Sequence, residues 1–271
     1  MPVVAILDEL VHRVVAPNPS PMTLDGTNTY VIGRTGGAAL VVDPGPSAEE
    51  HRQRVRAVLR DRDATATAIF VTHHHLDHAE AAADWARRFG CPVVASTRDV
   101  AGPDGRVVGD GDELRVDDLM IEVIATPGHT RDHVSVRLPT GAVLTGDHVL
   151  GRGTSVVAYP DGDLTAYLDS LRRLLRLGPD ALFPGHGPQL TRDPTAVLDF
   201  YRQHRAFREA QVVAALAEGP ATPAQLVERI YADVDRNLWH AAQKSTRATL
   251  EALRSRGDIR FNASEQAVWT R

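Results

Sequence analysis

Up to about residue 190 the apolar residues of this chain come in short, β-branched runs separated by turns; beyond it they recur at helical spacing. Thr29-Tyr30-Val31-Ile32-Gly33 and Ala38-Ala39-Leu40-Val41-Val42-Asp43 read as a hairpin turned at Gly36-Gly37. Ser47 and Glu50 have capping-box spacing, which predicts a helix from there to about Arg60. The run Ala68-Ile69-Phe70-Val71 predicts a buried strand, followed by a helix over 78–89 stopped at Gly90 and a strand over 92–96. A looser region spans Val107 to Leu114. Leu119–Ala125 predicts another strand, and His133–Leu138 with Ala142–Thr145 a hairpin turned at Pro139-Thr140-Gly141. Leu164, Leu168, Leu171, Leu174 and Leu175 mark a helix ended by Gly178-Pro179, and Ala181-Leu182-Phe183 is a last short strand.

After Pro194 the texture changes to three helices, over about 195–218, 223–232 and 236–255, and a final hairpin between Ile259 and Trp269 with a polar tip. This pattern predicts two domains: 1–194, with two mixed sheets faced by helices, and 195–271, a small winged-helix-like module. The class is therefore mixed α/β of the α+β kind.

Composition adds three constraints. No apolar run reaches the roughly 18 residues that span a bilayer. The N-terminal stretch lacks a basic region and carries Asp8 and Glu9 early, so neither a secretory nor a transit signal is expected. The single cysteine, Cys91, allows no intrachain disulfide, which fits a cytoplasmic location. Residues 1–194 carry 19 basic and 26 acidic side chains, and 195–271 carry 11 and 9. That balance argues against nucleic-acid binding by the whole surface but leaves room for a local basic face.

The predicted strands matter because of what stands at their ends. Thr72-His73-His74-His75-Leu76-Asp77-His78 follows one strand, His129 a second, Asp147 a third and His186 a fourth. Imidazole and carboxylate are the ligand types of zinc and other borderline divalent ions. On an extended chain His73 and His75 share a face, and His74 points away. His73, His75 and His129 then serve one ion, Asp77, His78 and His186 a second, and Asp147 bridges them. Each ion keeps an open position, and a water between them is activated for hydrolysis. Asp77 is the candidate catalytic residue. Asn28 and Thr27, on the stiff loop 17–28, and His133 are candidate substrate contacts, with loop capping and ligand orientation as their structural alternatives. His12, His51, His204 and His240 are expected to be surface or packing residues.

The His-x-His-x-Asp-His segment and the later His, Asp and His ligands resemble the metallo-β-lactamase superfamily. The resemblance covers roughly residues 10–190 and implies an αββα sandwich. The commonest class B β-lactamases use Cys where this chain has Asp147, which disfavours a β-lactam substrate. Members that became di-iron redox proteins carry Glu where His75 stands. Asn18-Pro19-Ser20-Pro21-Met22-Thr23-Leu24-Asp25-Gly26-Thr27-Asn28-Thr29-Tyr30, Pro127-Gly128-His129-Thr130-Arg131-Asp132-His133 and Gly146-Asp147-His148-Val149-Leu150-Gly151 are similar to the branch that holds the animal mitochondrial single-strand endoribonuclease and fungal polyketide thioesterases. That branch also carries a C-terminal winged-helix-like module.

The expected activity is a dinuclear metal-dependent hydrolase acting on phosphodiester bonds of single-stranded RNA. The alternative is a thioesterase or related acyl hydrolase of the glyoxalase II kind. A mono-iron oxidoreductase of the persulfide-dioxygenase type and a nucleic-acid-binding protein with an inert sandwich are competitors from other classes. The expected cofactors are two divalent ions, zinc ahead of manganese or iron. The expected partners are single-stranded RNA or a small acyl thioester, and a second copy of the chain, but no membrane. Arg236, Lys244, Arg247, Arg254, Arg256 and Arg260 form the candidate basic face, with a solvated helix or packing surface as its alternative.

Overall fold

The structure, a computed structural model, describes residues 2–269. Its elements run β1 (Val4–Ile6), β2 (Val11–Val15), β3 (Asn28–Gly33), β4 (Ala38–Val42), α1 (Glu49–Asp61), β5 (Thr65–Phe70), α2 (Leu76–Ala79), α3 (Ala82–Phe89), β6 (Val93–Ala95), α4 (Arg98–Ala101), β7 (Arg106–Val107), β8 (Glu113–Val116), β9 (Leu119–Ala125), β10 (Val134–Arg137), β11 (Ala142–Gly146), α5 (Leu164–Leu177), β12 (Ala181–Pro184), α6 (Pro194–Ala217), α7 (Pro223–Ile230), α8 (Trp239–Ser255), β13 (Ile259–Phe261) and β14 (Ala267–Trp269). Residue contacts divide the chain into two compact units. One is the chain up to Thr126 with Asp132–Gly153 and Gly178–Pro194; the other is Pro127–Arg131, Thr154–Leu177 and everything after Pro194.

The first unit is built on two sheets. One has the order β1-β2-β3-β4-β5-β6-β7, the other β12-β11-β10-β9-β8. Strand alternation explains how they are packed. Leu40, Val42 and Phe70 point to the core shared with Ile121, Val123, Val134, Val136, Leu144 and Phe183 of the second sheet. Ala39, Val41, Ile69 and Val71 point the other way, onto Val55, Val58 and Leu59 of α1 and Ala82 and Trp85 of α3. Strands β4, β5, β6 and β7 are parallel. Their C-terminal ends therefore lie along one edge, and the His-rich turn leaves from it.

Four local expectations change. β1 and β2 extend the first sheet with strands the apolar pattern does not announce. The looser region holds β8, paired antiparallel with β9. The helix expected over 78–89 is two helices, because Gly45 O accepts from Ala81 N at 3.1 Å and interrupts the ladder. The capping box at Ser47 and Glu50 does not form. The helix is capped by Ala48 without a side-chain bond, and Ser47 N donates instead to Glu80 Oε2 at 3.0 Å.

In the second unit α7 starts with a complete capping box between Thr222 and Gln225, with Pro223 in its first turn. Leu216, Leu226, Leu250, Leu253, Ile259 and Ala267 close a small core over α6, α7, α8 and the β13–β14 hairpin. Among the described residues no helix is long and apolar enough to cross a membrane.

Candidate metal centre

The turn after β5 is bent from Thr72 onward rather than extended. The bend, not strand alternation, brings His73 Nε2 to 3.0 Å from His75 Nδ1. His75 then caps α2, and its carbonyl accepts from His78 N and Ala79 N, both at 2.9 Å. The helix turns Asp77 and His78 toward the ends of β11 and β12. There His78 Nε2 lies 3.2 Å from His186 Nε2 and 3.3 Å from Asp147 Oδ1. His186 Nε2 lies 3.2 Å from Asp77 Oδ2 and 3.4 Å from Asp147 Oδ1.

Gly185 makes this approach possible. A Cβ there would stand 2.6 Å from His78 Cε1 and 2.7 Å from Asp147 Oδ1. Its N–H also donates to Gly146 O at 2.7 Å, binding the ends of β11 and β12 together.

Two donor groups result within the first unit. His73, His75 and Asp147 offer atoms within 4.8 Å of one another, as do Asp77, His78 and His186. Donor spacings within the second group and from it to Asp147 are 3.2–3.4 Å, except His78 Nε2 to Asp77 Oδ2 at 3.9 Å, against roughly 3.3 Å for the edges of a tetrahedron with bonds of about 2.0–2.1 Å to a divalent ion.

The tautomers agree. Thr72 Oγ1 donates to Asp43 Oδ2 at 2.9 Å and so accepts from His73 Nδ1 at 3.0 Å. His78 Nδ1 donates to Asp43 Oδ2 at 2.8 Å, and His186 Nδ1 to Gly26 O at 3.2 Å. In each ring the lone pair is left on Nε2, the nitrogen that faces the cluster, which is the arrangement that metal-ligating histidines adopt. The residues present therefore fit two divalent ions.

The carboxylates and imidazoles also hold each other's charges. Burial would lower His186, but Asp147 and Asp77 outweigh it and lift it to about 9. Burial would raise Asp147, yet His186 and His78 hold it well below the usual carboxylate range. Without metal, shared protons supply the positive charge that two cations would supply.

Asp43 has no counterpart among the sequence-based candidates. It is buried, and besides His78 and the Thr72 hydroxyl it accepts from Thr72 N at 2.8 Å. The only local signal is its place before Pro44-Gly45. Its carbonyl accepts from Thr29 Oγ1 at 2.6 Å, and Thr29 Oγ1 in turn accepts from His51 Nε2 at 2.7 Å. Burial pushes His51 down to about 4, so it is neutral near pH 7. Stability linked to His51 is complete above about pH 6.5 and is lost as pH falls toward 4, on the order of 3 kcal/mol in all. His51→Gln is expected to flatten that part of a urea-unfolding profile against pH; an unchanged slope would refute the assignment.

The expected substrate contacts are corrected by burial. Asn28 and Thr27 are wholly inaccessible. Asn28 Nδ2 donates to Pro184 O and Gly187 O, both at 2.8 Å, and clamps the loop that carries His186. Thr27 Oγ1 donates to Asp77 O at 2.9 Å. His133 is buried as well, and its Nε2 accepts from Asp147 N at 3.2 Å, so it orients the carrier of Asp147. His74 points away and bonds Asp132 Oδ1 at 2.8 Å.

His129 belongs to the second unit. Gly128 before it has φ +135°, and a Cβ would meet the Tyr167 backbone at 2.3 Å. His129 Nδ1 donates to Val156 O at 2.7 Å, which leaves the lone pair on Nε2. In the same unit half of the candidate basic face is ion-paired, two of its arginines with one carboxylate. Arg247 pairs with Glu251 at 2.8 Å, Arg254 with Glu251 at 2.7 Å, and Arg256 with Glu209 at 2.6 Å.

Two mixed sheets with a His/Asp cluster at strand ends define a sandwich with metal-ligand chemistry at one edge, and comparison with known proteins carries this further. Residues 22–186 match the metallo-beta-lactamase superfamily, and residues 222–269 match the beta-lactamase associated winged helix domain. The chain belongs to the metallo-beta-lactamase superfamily, with the sandwich followed by a winged-helix domain.

It is 30% identical to the beta-lactamase-like protein 2 homolog of Drosophila melanogaster, over 97% of this chain and 94% of that one. It is 32% identical to the atrochrysone carboxyl ACP thioesterase of Aspergillus fumigatus, over 85% of this chain and 76% of the other. A metallo-beta-lactamase family protein from Thermus thermophilus shares the fold, with a TM-score of 0.82 at 22% identity and coverage of 98% and 100%.

Proposed function

We propose that the chain is a dinuclear metal-dependent hydrolase of acyl thioesters. The observation that carries the reading is the pair of donor groups that meet at Asp147. Asp147 is shared by both groups. Two divalent ions held there would supply Lewis acidity and lower the pKa of a water toward about 7. The protein's own groups do the rest. Asp77 is the most accessible carboxylate of the cluster, its side chain 30% exposed, and takes up and passes on a proton at the oxygen that is not turned to His186. Thr72, Asp43 and Gly26 hold the histidine lone pairs on Nε2. Leu76, 72% exposed between His75 and Asp77, offers an apolar contact to an acyl chain.

Three features favour a thioester over RNA: Leu76, the ion-paired arginines of α8, and the relatives named as thioesterases. Cleavage of single-stranded RNA is the second reading. It rests on the resemblance of the 18–30 loop and on Lys244 and Arg260, which make no ion pair among the described residues.

Purified chain is expected to hold two divalent ions and to hydrolyse a long-chain acyl thioester at a rate that barely changes from about 50 to about 200 mM salt. Cleavage of RNA would fall by orders of magnitude over that range. Leu76→Asp is expected to raise KM for the long-chain thioester roughly tenfold with kcat kept, about 1.4 kcal/mol of lost apolar contact. One iron per chain with oxygen consumed on a persulfide would replace this reading by the mono-iron one. Thioester turnover no higher than that of Asp147→Ala would end it.

A further inference from the structure

Helix α6 has 24 residues. Leu198, Tyr201, Arg205, Val212 and Leu216 are buried and form its inner face. On the opposite side Ala196, Phe200, Gln203, Phe207, Ala210 and Ala214 are all exposed. Phe200 is 54% and Phe207 59% exposed. Their spacings alternate four, three, four, three, four, the a/d repeat of a helix–helix seam. No charged residue interrupts the seam. Two phenyl rings left in water seven residues apart on one helix cost apolar surface that a partner would cover.

We infer that this seam is a dimer interface and that its occupant is the same seam of a second copy. Self-complementarity argues for it. In an antiparallel pair with its two-fold axis near residue 205, every a position meets a d position. Phe200 then lies on Ala210 of the other copy, Phe207 on Gln203, and Ala214 on Ala196. Each phenyl ring meets a small or slender side chain, the outer layers pair alanine with alanine, and no charge is buried. Such an isologous contact also closes on itself. The seam is about 27 Å long at 1.5 Å per residue, and pairing two of them buries on the order of 1,000 Å² in total. That area is at the lower limit for a specific interface, so the dimer should be of micromolar strength.

Sedimentation velocity of the full chain from about 1 to about 100 µM is the test. The expected result is a concentration-dependent shift from monomer to dimer that Phe200→Glu and Phe207→Glu each abolish. Both side chains are exposed, so these variants should keep the wild-type circular dichroism and melting temperature. Register is tested by oxidising an equimolar mixture of Ala196→Cys and Ala214→Cys chains in a Cys91→Ser background. Cross-links should form between unlike variants and not within either alone. A monomer at every concentration, a dimer that survives both Glu substitutions, or cross-linking of like with like would overturn the proposal.

Discussion

Asp147→Ala is expected to halve the bound metal or worse and to reduce hydrolysis by at least ~10³-fold, because a lost clamp on the reacting oxygens costs several kcal/mol. The size of the effect follows from its position. Asp147 Oδ1 is 3.3 Å from His78 Nε2 and 3.4 Å from His186 Nε2, and the same carboxylate offers a donor to His73 and His75. Removing any other residue takes a ligand from one group; removing this one takes a ligand from both. Metal analysis after exhaustive dialysis, paired with thioester turnover, checks it. Two ions retained with full turnover would show that the groups do not depend on a shared carboxylate. Asp147→Asn, which keeps the shape, should lose the charge-dependent part of binding and fall between the two.

Asp43→Asn is expected to weaken metal binding about 10- to 100-fold, the usual effect of losing the group that orients a ligating histidine. An amide presents one acceptor where the carboxylate presents two. It cannot satisfy Thr72 N, the Thr72 hydroxyl and His78 Nδ1 together, all of which now bond Asp43. If the amide NH₂ faces His78, the imidazole must accept through Nδ1 and carry its proton on Nε2, where the metal should bind. The backbone is not the cause, since Asp43 has φ 51° and Asn tolerates that region at least as well. A further loss of roughly 1–3 kcal/mol of stability follows from the unsatisfied buried donor. Competition with a chromophoric chelator measures the affinity, and urea unfolding of metal-free protein measures the stability. Unchanged chelator competition would remove Asp43 from the site.

Much of the chain can be read without coordinates because its signals are local. β9 runs from Leu119 to Ala125, and α5 stops at Leu177 before Gly178, as the apolar runs and the breaker indicate. What escapes local reading depends on distant partners. β2 contains Arg13, which is buried and bonded to Gln189 Oε1 at 3.1 Å; no alternation reveals a strand whose charged residue is satisfied from the far end of the domain. The break between α2 and α3 lacks Gly or Pro, because Gly45 makes it from another loop. Asn28 and Thr27 have the chemistry of substrate contacts, and only their burial shows that they brace the ligand loops instead.

By itself the sequence determined the ligand types and placed them after predicted strands, since a strand that ends in a turn exposes whatever the turn carries. It also implied the family. The tertiary structure alone decided which nitrogen of each histidine faces the cluster, that Asp43 orients His78, and that the arginines of α8 are spent on nearby carboxylates. These outcomes depend on distances of about 3 Å, and for Asp43–His78 and Gly26–His186 between groups far apart in the chain, where hydrogen bonds form or fail.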